Sequence, residues 1–142
     1  MTIRHSKKAK FGLGALIAFV CAITTMADNW PEWRGPEGTG VCSEKNLPTA
    51  WGTNQNVRWK TALPGPGNST PVIWRNRVFV TQAVEKQRML MCFDRANGKL
   101  LWQNGVTAAE NEPTHEVNPY CSGSPATDGQ RVVASFGSPG VY

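Results

Sequence analysis

The sequence predicts an all-β fold, and three observations lead there. From Val57 onward, short runs rich in β-branched and aromatic residues are separated by polar clusters of Gly, Asn, Asp and Pro, which is the punctuation of strands and turns. Past residue 27, no window carries apolar residues at the spacing of an amphipathic helix. Part of the strand pattern also occurs twice.

The elements follow in chain order. VRWKTAL (57–63) alternates in part and is expected as a strand. PVIW and RVFVTQAV flank Arg75-Asn76 and read as a hairpin. EKQR is a polar turn and MLMCFD the next strand. RANGK is a turn, with Asn97-Gly98 expected to supply positive φ angles, and LLWQNGV resumes the sheet. Residues 107–120 form a polar insertion with two prolines, Pro113 and Pro119.

The pattern then restarts. GSPATDGQRVVASF resembles NSTPVIWRNRVFVTQ, so that Pro71 falls on Pro125, Arg77 on Arg131 and Val78 on Val132, an offset of 54. Trp59 and Trp102 recur at 43 residues, and the longer second loop accounts for the difference. A repeat of roughly 40–45 residues plus one insertion falls in the range of β-propeller blades.

Residues 1–27 carry Arg4, Lys7, Lys8 and Lys10, then a short apolar run ending at Ala27. Basic, apolar, then small is the order of a secretory signal peptide, and the apolar core is short for a membrane span of roughly 20 residues. Cleavage near Ala27 and export to the periplasm or outside the cell are expected; an uncleaved anchor is the rival. Val20 is too bulky for the residue that precedes a lipoprotein cysteine such as Cys21. Four of the fifteen basic residues lie in this leader, so the +5 of the whole chain falls to +1 beyond it. The basic character is therefore no signature of nucleic-acid binding.

Beyond the leader, Cys42, Cys92 and Cys121 are an odd set, which leaves at least one thiol unpaired within the chain. No CxxC and no zinc-finger spacing occurs. Cys92 alternates with apolar residues and reads as a small buried hydrophobe. Residues 28–55 are rich in Pro and Gly yet hold Trp30, Trp33 and Trp51. Such a segment is expected to be an ordered lead-in that lies over a larger body through its tryptophans. Residues 56–142 are assigned to the blades.

The stretch CFDRANGKLLW (92–102) resembles the blade motif of the pyrroloquinoline-quinone-like repeat family, Ala-x-Asp-x-x-Thr-Gly-Lys-x-x-Trp. Asp94, Gly98, Lys99 and Trp102 match; Cys92 and Asn97 replace the Ala and Thr. NWPEWRGPEGTG, LPTAW and NPYCSGSP resemble exported repeat proteins described as quinoprotein-like or barrel-assembly-like propellers.

The resemblance implies four-stranded antiparallel blades packed around an axis, with about one and a half blades here. The chain is accordingly expected to be an N-terminal fragment, with GSPGVY approaching the next inner strand. It further implies that Trp102 lies between neighbouring blades while its N–H seeks a carbonyl. Asp94 would accept backbone N–H bonds in the turn, Gly98 would supply its backbone freedom, and Trp59 would play the part of Trp102 one blade earlier.

Two functions from different classes follow. The first is a non-catalytic binding or assembly scaffold that docks a protein or peptide at rim loops or a blade edge. The alternative is a pyrroloquinoline-quinone-dependent dehydrogenase with calcium at the axis, its ligands supplied by further blades. Calcium takes about six to eight oxygens, and no such grouping of carboxylates is visible in the sequence.

His115, Glu116, Asn118 and Tyr120, in the densest polar–aromatic stretch, are the candidate rim contacts. Their plainer reading is an inter-strand loop with turns at Asn118-Pro119 and Ser122-Gly123. Asp94 reads as a turn residue rather than a catalytic acid. GPGNST (65–70) lacks the lysine of a phosphate loop. No catalytic, cofactor-binding or metal-binding residue is assigned.

Overall fold

The computed structural model describes residues 28–142; the leader, with its expected cleavage site, lies outside them. Among the described residues there are strands and no helix, and therefore no helix long and apolar enough to cross a membrane.

Four strands form one antiparallel sheet in sequence order: β1 (Val72–Trp74), β2 (Arg77–Val84), β3 (Gln87–Asp94) and β4 (Leu100–Thr107). Tight turns set the register. Trp74 pairs with Arg77 across Arg75-Asn76, and Val84 pairs with Gln87 across Glu85-Lys86. Arg75 and Glu85 each take φ of 52°, as two-residue hairpins require of their first turn residue. The expected EKQR turn is thus only Glu85-Lys86. Gln87 and Arg88 belong to β3, because the ladder closes as soon as the chain can reverse.

The β3–β4 turn is tied by Asp94. Its N–H donates to the Lys99 carbonyl at 2.9 Å, and its carbonyl accepts from Gly98 N–H at 2.8 Å. Its Oδ1 accepts from the N–H groups of Ala96, at 2.7 Å, and Asn97, at 3.3 Å. Gly98 takes φ of 73°, whereas Asn97 is not among the positive-φ residues. Asn97 contributes its side chain instead, accepting from Lys99 N–H at 2.9 Å. A register shift at Cys92/Phe93 brings Trp102 opposite Cys92 and Leu100 opposite Phe93.

Strand alternation divides the side chains between two faces. On one face, Val80, Met91 and Phe93 are buried, with Val78 and Met89 against them. Trp59, Thr61 and Leu63 border this face. Residues 57–63, expected as a strand, form no strand pairing there; they dock through side chains. The opposite face holds Val72, Phe79 and Cys92, packed by Trp74, Leu90 and Val132, and a neighbouring cluster of Ala83, Cys121, Ala134 and Phe136. Full burial of a residue such as Phe79 contributes about 1.5–3 kcal/mol.

A second sheet supplies this cover: β5 (Ala126–Thr127) and β6 (Val132–Val133) pair antiparallel. Beyond β6, Ala134 and Tyr142 exchange N–H to carbonyl bonds at 2.8 and 3.0 Å. The end of GSPGVY thus runs antiparallel to the chain that follows β6. Thr70 N–H donates to Ser124 Oγ at 2.8 Å across 54 residues, the offset of the internal repeat, so equivalent segments touch.

In the lead-in, Trp30 exchanges backbone bonds with Ile73 at 2.8 Å, and Pro31 carbonyl accepts from Thr127 N–H at 2.8 Å, joining both sheets. Trp33 and Trp51 are exposed, at 63 % and 66 %. The expectation that all three lead-in tryptophans cover the body thus holds for Trp30 alone. Trp33 is occupied instead by the Arg34 guanidinium, 5.5 Å from its ring centre.

Candidate functional site

The motif residues divide between two faces of the sheet. Asp94 and Gly98 shape the β3–β4 turn, and the indole that sits on this turn is Trp59. Its Nε1–H donates to the Arg95 carbonyl at 2.8 Å. A Cβ added at Gly98 would lie 2.4 Å from the Trp59 ring, so the turn needs glycine both for its backbone and for this contact. Thr61 Oγ1 donates to the Gly98 carbonyl at 2.7 Å, a second bond in the same clasp. Lys99 is exposed beside the turn.

Trp102 belongs to the other face. Its ring lies 6.0 Å from that of Phe79 at an interplanar angle of 50°, and it is 38 % exposed. Among the described residues its N–H meets no carbonyl. It borders a half-open cavity of about 350 Å³ between the first sheet and the second hairpin, with Arg77, Phe79, Asn104, Val132 and Tyr142 also in its wall. Trp102, Asn104 and Val106 alternate along β4 and so share this face. Beside them, β4 is the last strand of its sheet and is largely exposed. It carries no Lys, Arg, Asp, Glu or Pro, the residues that commonly protect a free edge.

The insertion loop carries the four candidate rim residues. His115, Glu116 and Asn118 are exposed. His115 carbonyl accepts from Asn118 N–H at 2.9 Å, and its Nδ1 accepts from Val117 N–H at 3.3 Å, a local turn. Asn68 Nδ2 donates to the Val117 carbonyl at 3.1 Å and ties that turn to the chain before β1. Tyr120 is half-buried over Arg88, whose guanidinium carbon is 3.7 Å from the ring centre, and its hydroxyl donates to the Glu112 carbonyl. Among the described residues, no group of three His, Cys, Asp or Glu side chains could hold a metal ion.

Sequence reasoning missed the buried polar residues under this loop. Arg88 is 1 % exposed. Its Nη1 donates to the Glu85 carbonyl at 2.8 Å and its Nη2 to Asn111 Oδ1 at 2.9 Å. Thr81, fully buried, lies with its Oγ1 3.0 Å from the carbonyls of both Cys121 and Gly123, fastening the two repeats near Ser69 and Ser124. The signal for Arg88 was parity: it stands two and four residues before Leu90 and Cys92, on the face that becomes buried.

The three described cysteines are free, with Cys42 exposed and Cys92 and Cys121 buried. Burial pushes the thiol pKa values of Cys92 and Cys121 upward, opposed in Cys92 by the charge of Arg77 and in Cys121 by a backbone hydrogen bond and Arg88. Both thiols are thus held neutral and unreactive.

A four-stranded meander with a sheet of the next repeat stacked on its face is how a β-propeller is built, so the chain is a propeller-repeat protein. A scan against protein families matches residues 39–142 to the family described as outer membrane protein assembly factor BamB, a pyrroloquinoline-quinone-like repeat family, and the chain belongs to it. Comparisons with curated proteins and with solved structures gave no match.

Proposed function

We propose that this chain is an exported, non-catalytic scaffold that binds or helps assemble other proteins, docking polypeptide against its blade edge or rim loops. One observation carries the reading: β4 is exposed along an unprotected edge, beside a cavity walled by Trp102 and Phe79. Exposed strand edges recruit extended chain through main-chain hydrogen bonds, and neighbouring pockets select side chains. The assembly-factor description of the family supports the same class of role. Export rests on the basic–apolar–small order of residues 1–27.

The dehydrogenase alternative requires a calcium ion held by several oxygens. Glu110, Glu112 and Glu116 share a loop, yet no three acidic, His or Cys side chains among the described residues converge on one point. The described residues alone do not supply that ion's ligands, which in this alternative come from further blades, and no step is derived through it. The deciding assay is dye-linked oxidation of alcohols and sugars by the full chain mixed with calcium and pyrroloquinoline quinone. The scaffold reading expects none; turnover above a cofactor-only control would overturn it. Fractionation of a tagged chain checks the compartment, and retention in the cytoplasm would contradict export.

A further inference from the structure

The β1–β2 turn places an arginine where a two-residue hairpin favours Gly, Asn or Asp. Arg75 takes φ of 52°, a conformation that a residue with a Cβ adopts at a cost. The turn is braced on both sides. Arg75 N–H donates to Asn29 Oδ1 at 2.7 Å. Arg95 donates its backbone N–H to the Asn76 carbonyl at 2.9 Å and its Nη1 to the Arg75 carbonyl at 3.3 Å. An unfavourable backbone held from several sides points to a task for the residue that adopts it.

Beside this turn lies a cavity of about 320 Å³ walled by Trp74, Arg75, Asn76, Arg77 and Gly129. Small-molecule sites begin at about this size, 300 Å³. The wall is rich in donors. Arg75 and Arg77 are exposed, and among the described residues neither guanidinium has a hydrogen-bond or ion-pair partner. The Asn76 amide lies between them in the chain. The Nε1 edge of Trp74 lies at Gly129, 2.6 Å from where a Cβ would stand, so an indole N–H adds to the same wall. No carboxylate lines the cavity. Asp94, opposite Arg77 in the ladder, and Asp128, next to Gly129, are both engaged in their own turns, each Oδ1 accepting two backbone N–H groups.

This many donors call for more acceptor atoms than the two oxygens of a carboxylate. A phosphate monoester offers three strong acceptor oxygens and a charge of about −1.5 to −2 at neutral pH. The planar fork of arginine matches those oxygens in pairs.

We propose that the cavity at the β1–β2 turn binds a phosphate monoester, gripped by the guanidinium groups of Arg75 and Arg77, with Asn76 Nδ2 and Trp74 Nε1 as further donors. A soluble sugar phosphate and a lipid headgroup offer the same chemistry, and the test separates them. The site is apart from the β4 edge and stands independently of the scaffold reading.

The full 142-residue chain is titrated calorimetrically with glucose 6-phosphate at low ionic strength. Saturable binding is expected, weakening as salt is raised. Arg77→Gln should weaken it about tenfold, through loss of a charge-assisted contact. Arg75→Gly is the sharper variant. Glycine suits the left-handed turn, so the urea midpoint should hold or rise while affinity falls about tenfold. Lys86→Gln, in the turn at the other end of the sheet, should leave affinity unchanged. Flotation with phosphatidylcholine vesicles, with and without phosphatidic acid, reads the source: capture by phosphatidic acid that Arg75→Gly abolishes assigns a lipid headgroup, and binding of glucose 6-phosphate alone assigns a soluble ester.

No saturation at millimolar glucose 6-phosphate, together with no capture by phosphatidic acid, would overturn the proposal. So would affinity indifferent to Arg75→Gly. Acetate competing as well as inorganic phosphate would also overturn it, by reducing the cavity to a patch of charge. None of these outcomes bears on dye-linked oxidation, the readout on which the scaffold reading stands or falls.

Discussion

Trp59 donates its indole N–H to the Arg95 carbonyl at 2.8 Å across 36 residues of chain. This bond joins a segment with no strand pairing of its own to the turn between β3 and β4. Trp59→Phe should cost about 1 kcal/mol, the worth of a hydrogen bond. Trp59→Ala should cost about 2–3 kcal/mol, below the range for a fully buried tryptophan because this ring is half-buried. Urea titrations followed by far-UV circular dichroism would give both values, and equal costs would mean that the bond contributes nothing.

Two left-handed glycines separate backbone strain from packing. A Cβ at Gly98 would strike the Trp59 ring, whereas at Gly38, with φ of 64°, it meets nothing within 4 Å. Gly38→Ala should therefore cost only the left-handed penalty, about 1–2 kcal/mol. Gly98→Ala should cost about 2–4 kcal/mol, because overpacking against the indole adds to it. Equal losses for the two would show that the ring moves aside freely.

Arg88 tests what orders the insertion loop. Its guanidinium is buried under Tyr120 and bound to Asn111. Among the described residues no carboxylate pairs with it, so removing the charge forfeits no ion pair. Arg88→Met should leave sheet stability within about 1 kcal/mol while raising amide exchange across 112–120. Arg88→Lys should do the same, since an ammonium reproduces neither the planar stacking nor the fork of donors. Unchanged exchange in both variants would remove Arg88 from this role.

Thiol chemistry should follow burial. At pH 8, iodoacetamide followed by peptide mapping should label Cys42 and spare Cys92 and Cys121, whose thiols are buried and shifted upward. Urea should expose all three. Rapid labelling of Cys92 in the folded chain would contradict the packing of Val72, Phe79 and Cys92.

Asp128 gives the acid limb of the stability curve a defined sign. Its Oδ1 accepts from Arg131 and Gln130 N–H at 2.7 and 2.8 Å, and these bonds hold its carboxyl below the usual carboxylate value. The unfolded chain binds this proton at higher pH than the folded chain. The contribution is therefore present above the ordinary aspartate range, about pH 4, and is lost as pH falls through the depressed folded value. Asp128→Asn should flatten the loss of stability as pH falls below the ordinary aspartate range, about pH 4, measured by urea midpoints at each pH. An unchanged slope would assign the acid limb to other groups.

The local pattern was sufficient for β1, β2, the core of β3, β4 and the Asp94–Gly98 turn, because strand alternation and turn chemistry act over a few neighbours. The internal repeat made Thr70 and Ser124 equivalent in sequence, and the structure brings them into contact. What no stretch of sequence could decide is which indole meets which glycine. Trp102 is four residues from Gly98 yet faces the second hairpin, and Trp59 reaches that glycine from the far side of the sheet. The same limit hid the exposure of Trp33 and Trp51 and the burial of Arg88. Alternation tells which residues share a face; only the packing of distant segments tells what that face is turned toward, and there the apolar area, the free carbonyl and the charge are matched or left open.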